Sequence, residues 1–289
     1  MEQQTIQWFP GHMARTEREI AKNLKLADAV VEVLDARIPI SSRNPDLDRA
    51  IGSRARILFL SRNDLADAEQ TARWLARYRA RGQAAVAADC RTGKGVSSLL
   101  PAVEKLLSGR IAAWHAKGMT GRKIRVMVAG IPNVGKSALI NRLAGGNRAA
   151  AENRPGVTRR SSWYPVGRGF EMLDTPGVLW PKVADKTMGE HLAFTGAVKD
   201  DVVDCEWLAC RLLETLRSLS PDALAARWKL TAEDLGSGDG YELLRRASKR
   251  RGMLAGGGAA DTERASHILL EEFRNGKMGR ITLERAEQS

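Results

Sequence analysis

The sequence predicts an α/β protein, a mostly parallel sheet with helices on both faces, followed by a small all-α domain. Three observations predict it. Short apolar runs alternate with helix-spaced segments from about residue 28 to 180, the pattern of strands joined by helical crossovers. A glycine-rich turn at 130–135 stands between an apolar run and a good helix start. From about 187 onward only helical periodicity remains.

The elements follow in order. Residues 29–34 (AVVEVL), 57–60 and 84–88 read as short buried strands. Segments 44–52 and 68–80, rich in Ala, Arg and Leu, carry helical spacing between them, and 96–113 is a further helix. The stretch HAKGMTGRK (115–123) has the glycines and charges of a linker. A fourth strand at 124–129, a helix from Lys136, and strands near 162–166 and 170–173 complete the first domain, placed at 1–185. The second, 186–289, is expected to be helical over 203–217, 221–229, 239–251 and 261–275, with a glycine-rich break at 255–261. Asp261 or Thr262 is placed to cap its last helix.

Composition narrows the function classes. In 289 residues, 43 % are hydrophobic, enough to bury a substantial core. No run reaches the roughly 18 apolar residues that cross a bilayer, and residues 1–11 lack the pattern of a signal peptide, so no membrane role is expected. Cys90, Cys205 and Cys210 fit neither a disulfide framework nor a zinc spacing, which suits a reducing cytoplasm. Lys plus Arg total 46 against 34 Asp plus Glu, a net charge of +12. That excess favours a polyanionic partner, although a solvated basic surface has the same composition. The seven tryptophans are too scattered for a stacking platform. Basic stretches at 247–252 and 273–280 are candidate RNA contacts or solvated helix faces.

The chemistry centres on GIPNVGKS (130–137). It satisfies G-x-x-x-x-G-K-[ST] after a strand and before a helix, the context a phosphate-binding loop requires. Pro132, Asn133, Val134, Gly135, Lys136, Ser137 and Ala138 then form the phosphate cradle, with the amides of about 133–138 turned to the β-phosphate. Lys136 bridges the β- and γ-phosphates and the Ser137 hydroxyl is a Mg²⁺ ligand. RPGVT (154–158) offers Thr158 as a γ-phosphate sensor and second Mg²⁺ ligand. In EMLDTPG (171–177) an apolar strand ends at Asp174, positioned to hold Mg²⁺, while the Gly177 amide contacts the γ-phosphate as a switch.

GIPNVGKS with DTPG resembles the translation-factor-related GTPases, yet no base-reading N-K-x-D follows Gly177. The matching tetrapeptide, Ser61-Arg62-Asn63-Asp64, ends the second strand, and ADCRTG (88–93) ends the third where a base-supporting loop would be. That order is a circularly permuted P-loop GTPase. Together with IQWFPGHMA (6–14), DARIPISSRNP (35–45), LDTPGVLWPK (173–182) and GKMGRITLE (276–284), the chain resembles the bacterial YlqF/RbgA family, ribosome biogenesis GTPase A, over essentially its whole length.

The resemblance implies GTP and GDP as ligands, GTP hydrolysis, and a cytoplasmic role in late assembly of the large (50S) subunit. Its partner would be the precursor particle, with rRNA and ribosomal proteins, and the free protein is expected to be a monomer. Asp64 would accept from the guanine edge, Arg62 would cover the base, and Asp89 and Cys90 would support it. Ser61, where asparagine is usual, is expected to weaken binding through its shorter reach. The position of the Ras-like glutamine is Val178; the family's substitute maps to His12, which can polarise water or instead order the N-terminal segment or touch RNA. Asn133 matches an asparagine that holds K⁺ in related enzymes. The alternatives are an RNA-associated P-loop ATPase and a nucleotide-gated scaffold with negligible hydrolysis.

Overall fold

The computed structural model describes residues 20–146, 162–167, 169–177, 179 and 185–288. Of the expected site residues, His12 and Thr158 lie outside these, as does Val178. The chain divides into two compact units, where two domains meeting at 185 are expected. One difference stands out: the helical unit ends at Leu283, and the tail from Glu284 belongs to the first unit.

The first unit is built on a sheet of six strands: β1 (Ala29–Asp35), β2 (Arg56–Ser61), β3 (Ala84–Ala87), β4 (Ile124–Ala129), β5 (Ser162–Val166) and β6 (Phe170–Asp174). Their order is β3-β2-β1-β4-β6-β5, parallel except for β5, which runs antiparallel at the edge. Helices α1 (Pro45–Ile51), α2 (Ala68–Ala80), α3 (Leu99–Leu106), α4 (Ser108–Ala116) and α5 (Lys136–Ala144) connect them. The single helix expected over 96–113 is split at Leu107, a buried residue followed by Ser108 and Gly109, both weak helix formers.

Side chains alternate across the sheet, so even-numbered β1 residues share one face. On it, Val30 packs with Ile20, Leu24, Leu47, Ile51, Met127, Ala129 and Leu173. Farther along the same face, Leu34 joins Leu58, Leu60, Trp74, Tyr78 and Ala85. Between these clusters stands Glu32, whose side chain is 1 % exposed. Burial pushes its carboxyl up, while Arg43 and Arg56 draw it down. Their nitrogens lie 3.7 and 3.3 Å from it.

The helical unit comprises α6 (Lys186–Phe194), α7 (Cys205–Leu219), α8 (Pro221–Trp228), α9 (Ala232–Gly236), α10 (Gly240–Arg250) and α11 (Thr262–Arg274). Five of these six helix starts carry a side-chain cap. Asp185, Asp204, Asp239 and Asp261 each accept from a first-turn amide, and Thr231 with Asp234 forms a capping box. Asp261, not Thr262, is thus the cap of α11. Helix α6 had no amphipathic signal because Gly189 to Phe194 are buried without interruption. The basic stretches are partly engaged internally: Arg250 pairs with Asp234, Arg251 with Glu272, and Arg274 with Asp200. All three cysteines are free thiols. Among the described residues no helix is long and apolar enough to cross a membrane.

Candidate active site

The site forms at the C-terminal ends of the parallel strands, around the loop from β4 to α5. Two glycines there answer to close approach. A Cβ on Gly130 would stand 2.4 Å from the Val33 carbonyl of β1, and its φ of +150° suits glycine. A Cβ on Gly177 would stand 2.6 Å from Pro132 N and Cα. The D-T-P-G turn therefore leans directly on the phosphate loop.

Lys136 is buried, and its Nζ donates to Ile131 O at 2.7 Å and Gly130 O at 3.2 Å. Burial pushes its ammonium down to about 8, with the Asp174 carboxylate pulling the other way. Ser137 Oγ donates to Asp174 Oδ2 at 2.7 Å, so the two expected metal ligands are brought together. Thr175 Oγ1 donates to Val128 O at 2.7 Å and ties the turn to β4. Val134 is buried and Ala138 half-buried beside them. Asn133 has a left-handed φ of 57°.

At the other end, Ser61 closes β2 beside the phosphate loop. Its hydroxyl lies within donating distance of Leu34 O, at 3.0 Å, and of Val134 O, which is closer still. Gly135 passes alongside: a Cβ built there would stand 3.7 Å from Ser61 Oγ, an ordinary van der Waals contact. Ser61 thus touches the phosphate loop itself. Arg62, at φ 54°, donates from Nη2 to Asn133 O at 3.3 Å. Burial, then the nearby Arg37 guanidinium, holds its pKa below the ordinary arginine value, and Asp35 and Asp64 act against this.

Asp64 keeps a largely shielded carboxylate, with the exposed Arg91 guanidinium 3.4 Å away. Asp89 organises the loop after β3 by accepting from Arg91 N at 2.7 Å and from Thr92 Oγ1. Burial opposes its ionisation, but these bonds outweigh it and hold the carboxyl below its usual range. Burial pushes the Cys90 thiol up to about 12, so it stays neutral. Arg142 on α5 donates to Cys90 O at 3.0 Å and to Arg91 O, fastening this loop to the helix that begins with Lys136. Nothing in sequence spacing marks Arg142 for that role. The same holds for the buried Asp35–Arg37 pair, whose Nη2–Oδ2 distance is 2.7 Å.

A family profile described as 50S ribosome-binding GTPase matches residues 125–207, the stretch that holds both the phosphate loop and D-T-P-G. Ribosome biogenesis GTPase A of Priestia megaterium is 44 % identical over 283 residues, spanning 97 % of this chain and 96 % of that protein. Its counterpart in Bacillus cereus is 41 % identical over 285 residues, spanning 98 % and 95 %. The chain belongs to the ribosome biogenesis GTPase A family. The GNP-bound crystal structure of YlqF from T. maritima superposes with a TM-score of 0.66 at 26 % identity, covering 94 % of this chain and 99 % of that one.

As a ribosome biogenesis GTPase A, the chain is a GTPase that binds guanine nucleotide, with a permuted order of motifs. Permutation explains the sheet. The strand bearing the phosphate loop is fourth in sequence yet lies at the centre, beside β1 and β6. The structure brings Ser61, Arg62, Asp64, Asp89 and Cys90 to one end of the site and Lys136, Ser137, Asp174 and Gly177 to the other.

Proposed function

We propose that this GTPase acts in late maturation of the large (50S) ribosomal subunit. Loaded with GTP it docks on the precursor particle, contacting rRNA and ribosomal proteins; hydrolysis, stimulated by the particle, releases it. It works in the cytoplasm, as a monomer when off the ribosome. The observation that carries this reading is the close approach of Gly177 to Pro132, together with the Ser137–Asp174 hydrogen bond of 2.7 Å. A turn that leans on the phosphate loop is placed to register whether a γ-phosphate is present, and a loop that does so can act as a switch.

The donor set also fits a cation. Ser137 and Asp174 offer hard oxygens that suit Mg²⁺, with Thr158 as a further ligand; Mg²⁺ takes its remaining ligands from water and phosphate. Among the described residues there is no cluster of three or more His, Cys, Asp or Glu that would hold a metal without nucleotide. When bound, Mg²⁺ neutralises phosphate charge. Asn133 is the residue for K⁺, and His12 the one that polarises the attacking water. Asp64 confers guanine preference, with Arg62, Asp89 and Cys90 around the base.

Single-turnover GTP cleavage, with and without 50S precursor particles and in K⁺ then Na⁺ buffer, tests the reading. Particles should accelerate cleavage, and K⁺ should accelerate it further. Cleavage indifferent to particles would remove the ribosomal role, and equal rates in the two buffers would remove K⁺.

A further inference from the structure

The tail that returns to the first unit is held against the loop that follows β1. Glu284 presents its carboxylate to that loop: Ile40 N donates to Oε2 at 2.5 Å, Ser41 N to Oε1 at 3.0 Å, and Ser41 Oγ donates to Oε1 as well. Three donors converge on one buried carboxylate, which makes a strong, directional grip. The tail is itself held by α2. Trp74 Nε1 donates to Glu284 O at 2.8 Å, Ala286 N donates to Gln70 Oε1 at 3.0 Å, and Arg77 donates to Ala286 O. Tyr78, also on α2, donates from its hydroxyl to Pro39 O at 3.1 Å.

The gripped loop runs back to the site. Ser42 Oγ donates to Ile38 O at 2.7 Å and accepts from Asp35 N at 3.1 Å. Asp35 holds Arg37 through its backbone amide at 2.9 Å and through both carboxylate oxygens. Asp35 is also the register partner of Ser61, and Ala36 N donates to Ser61 O at 3.0 Å. From Glu284 to Ser61 and Arg62 the contacts are continuous, though nearly the whole chain separates them in sequence.

We propose that Glu284 is a positioning residue of the guanine end of the site: by clamping Ile40 and Ser41 it fixes the loop that carries Arg37, and with it the height of Ser61 and Arg62 against the phosphate loop. Glu284 touches no nucleotide. Its effect falls on the base end, because the phosphate loop is tied down separately by β4 and α5.

The test compares full-length parent, Glu284→Gln and Ser41→Ala. The glutamine keeps the size but turns an amide NH2 toward donors, and the alanine removes only the hydroxyl. GDP dissociation at 20 °C should quicken about tenfold in Glu284→Gln and a few-fold in Ser41→Ala. Affinity for pyrophosphate, a probe of the phosphate loop alone, should stay within about twofold of the parent. The double variant should be less than additive, since both changes break one contact. A lower melting temperature with unchanged GDP dissociation would make Glu284 merely structural and overturn the proposal. Equal weakening of GDP and pyrophosphate would overturn it too, by placing the damage outside the base end.

Discussion

The two ends of the nucleotide site are built differently. The phosphate end is one continuous stretch, from Gly130 to Ser137, held between a strand and the helix it enters, with Asp174 and Gly177 brought in from the neighbouring strand. The end proposed to take guanine is gathered from separate pieces. Ser61 reaches Leu34 and Val134 across 27 and 73 positions of sequence, and Arg142 reaches Cys90 across 52. A local end depends on a few groups that each matter greatly. A gathered end spreads its energy over many contacts, so single losses there should be smaller.

That contrast can be broken by substitution. The largest effect is expected at Lys136→Ala, which removes the buried cation proposed to meet phosphate. Nucleotide affinity should fall by at least about 100-fold, from truncating one partner of a buried, hydrogen-bonded charge pair. The parent should reveal the same contribution by titration. Free Lys136 has its pKa pushed down to about 8, and bound phosphate raises it, so the lysine's contribution is present below pH 8 and lost above it. Between pH 7 and 9, GDP affinity should drop about tenfold in the parent and not in the variant. A pH-independent affinity would mean that Lys136 is not the group in contact.

Next in size is Asp64→Ala. Removing the carboxylate should cost about 2 kcal/mol of GTP binding while leaving weak ATP binding unchanged, so the GTP-to-ATP preference narrows about 30-fold. Competition between the two nucleotides measures it, and an unchanged preference would move base reading elsewhere. The smallest effect is expected at Ser61→Ala, about 1 kcal/mol or roughly fivefold in GDP affinity, since one hydroxyl proton is lost. If Ser61→Ala proved as damaging as Lys136→Ala, the guanine end would have to be as concentrated as the phosphate end.

The same contrast explains what could be read from sequence. The phosphate loop and D-T-P-G were legible because their geometry follows from residues adjacent in the chain. The strands and most helices were legible from alternation and spacing, and so was the permuted order of motifs. Helix α6 was not, because a helix buried on every side has no polar face to mark its period. Ser61 was half legible. Its place at the end of a strand is clear from sequence, but its hydrogen bond to Val134 O, 73 positions away, is not. Arg142, the Asp35–Arg37 pair and Glu284 were invisible for a common reason: each acts across a fold-dependent distance that no local pattern encodes.

Glu32 has a consequence for how β1 seats itself in the sheet. Apolar alternation alone would tolerate a slip of two residues, since Val30 and Leu34 would still face the same side. The slip would carry Glu32 about 7 Å along the strand, away from Arg43 and Arg56, and strand a buried charge. The carboxylate therefore serves as an alignment peg. Because β1 lies between β2, which ends at Ser61, and β4, which leads into the phosphate loop, that peg fixes how the ends of those two strands line up.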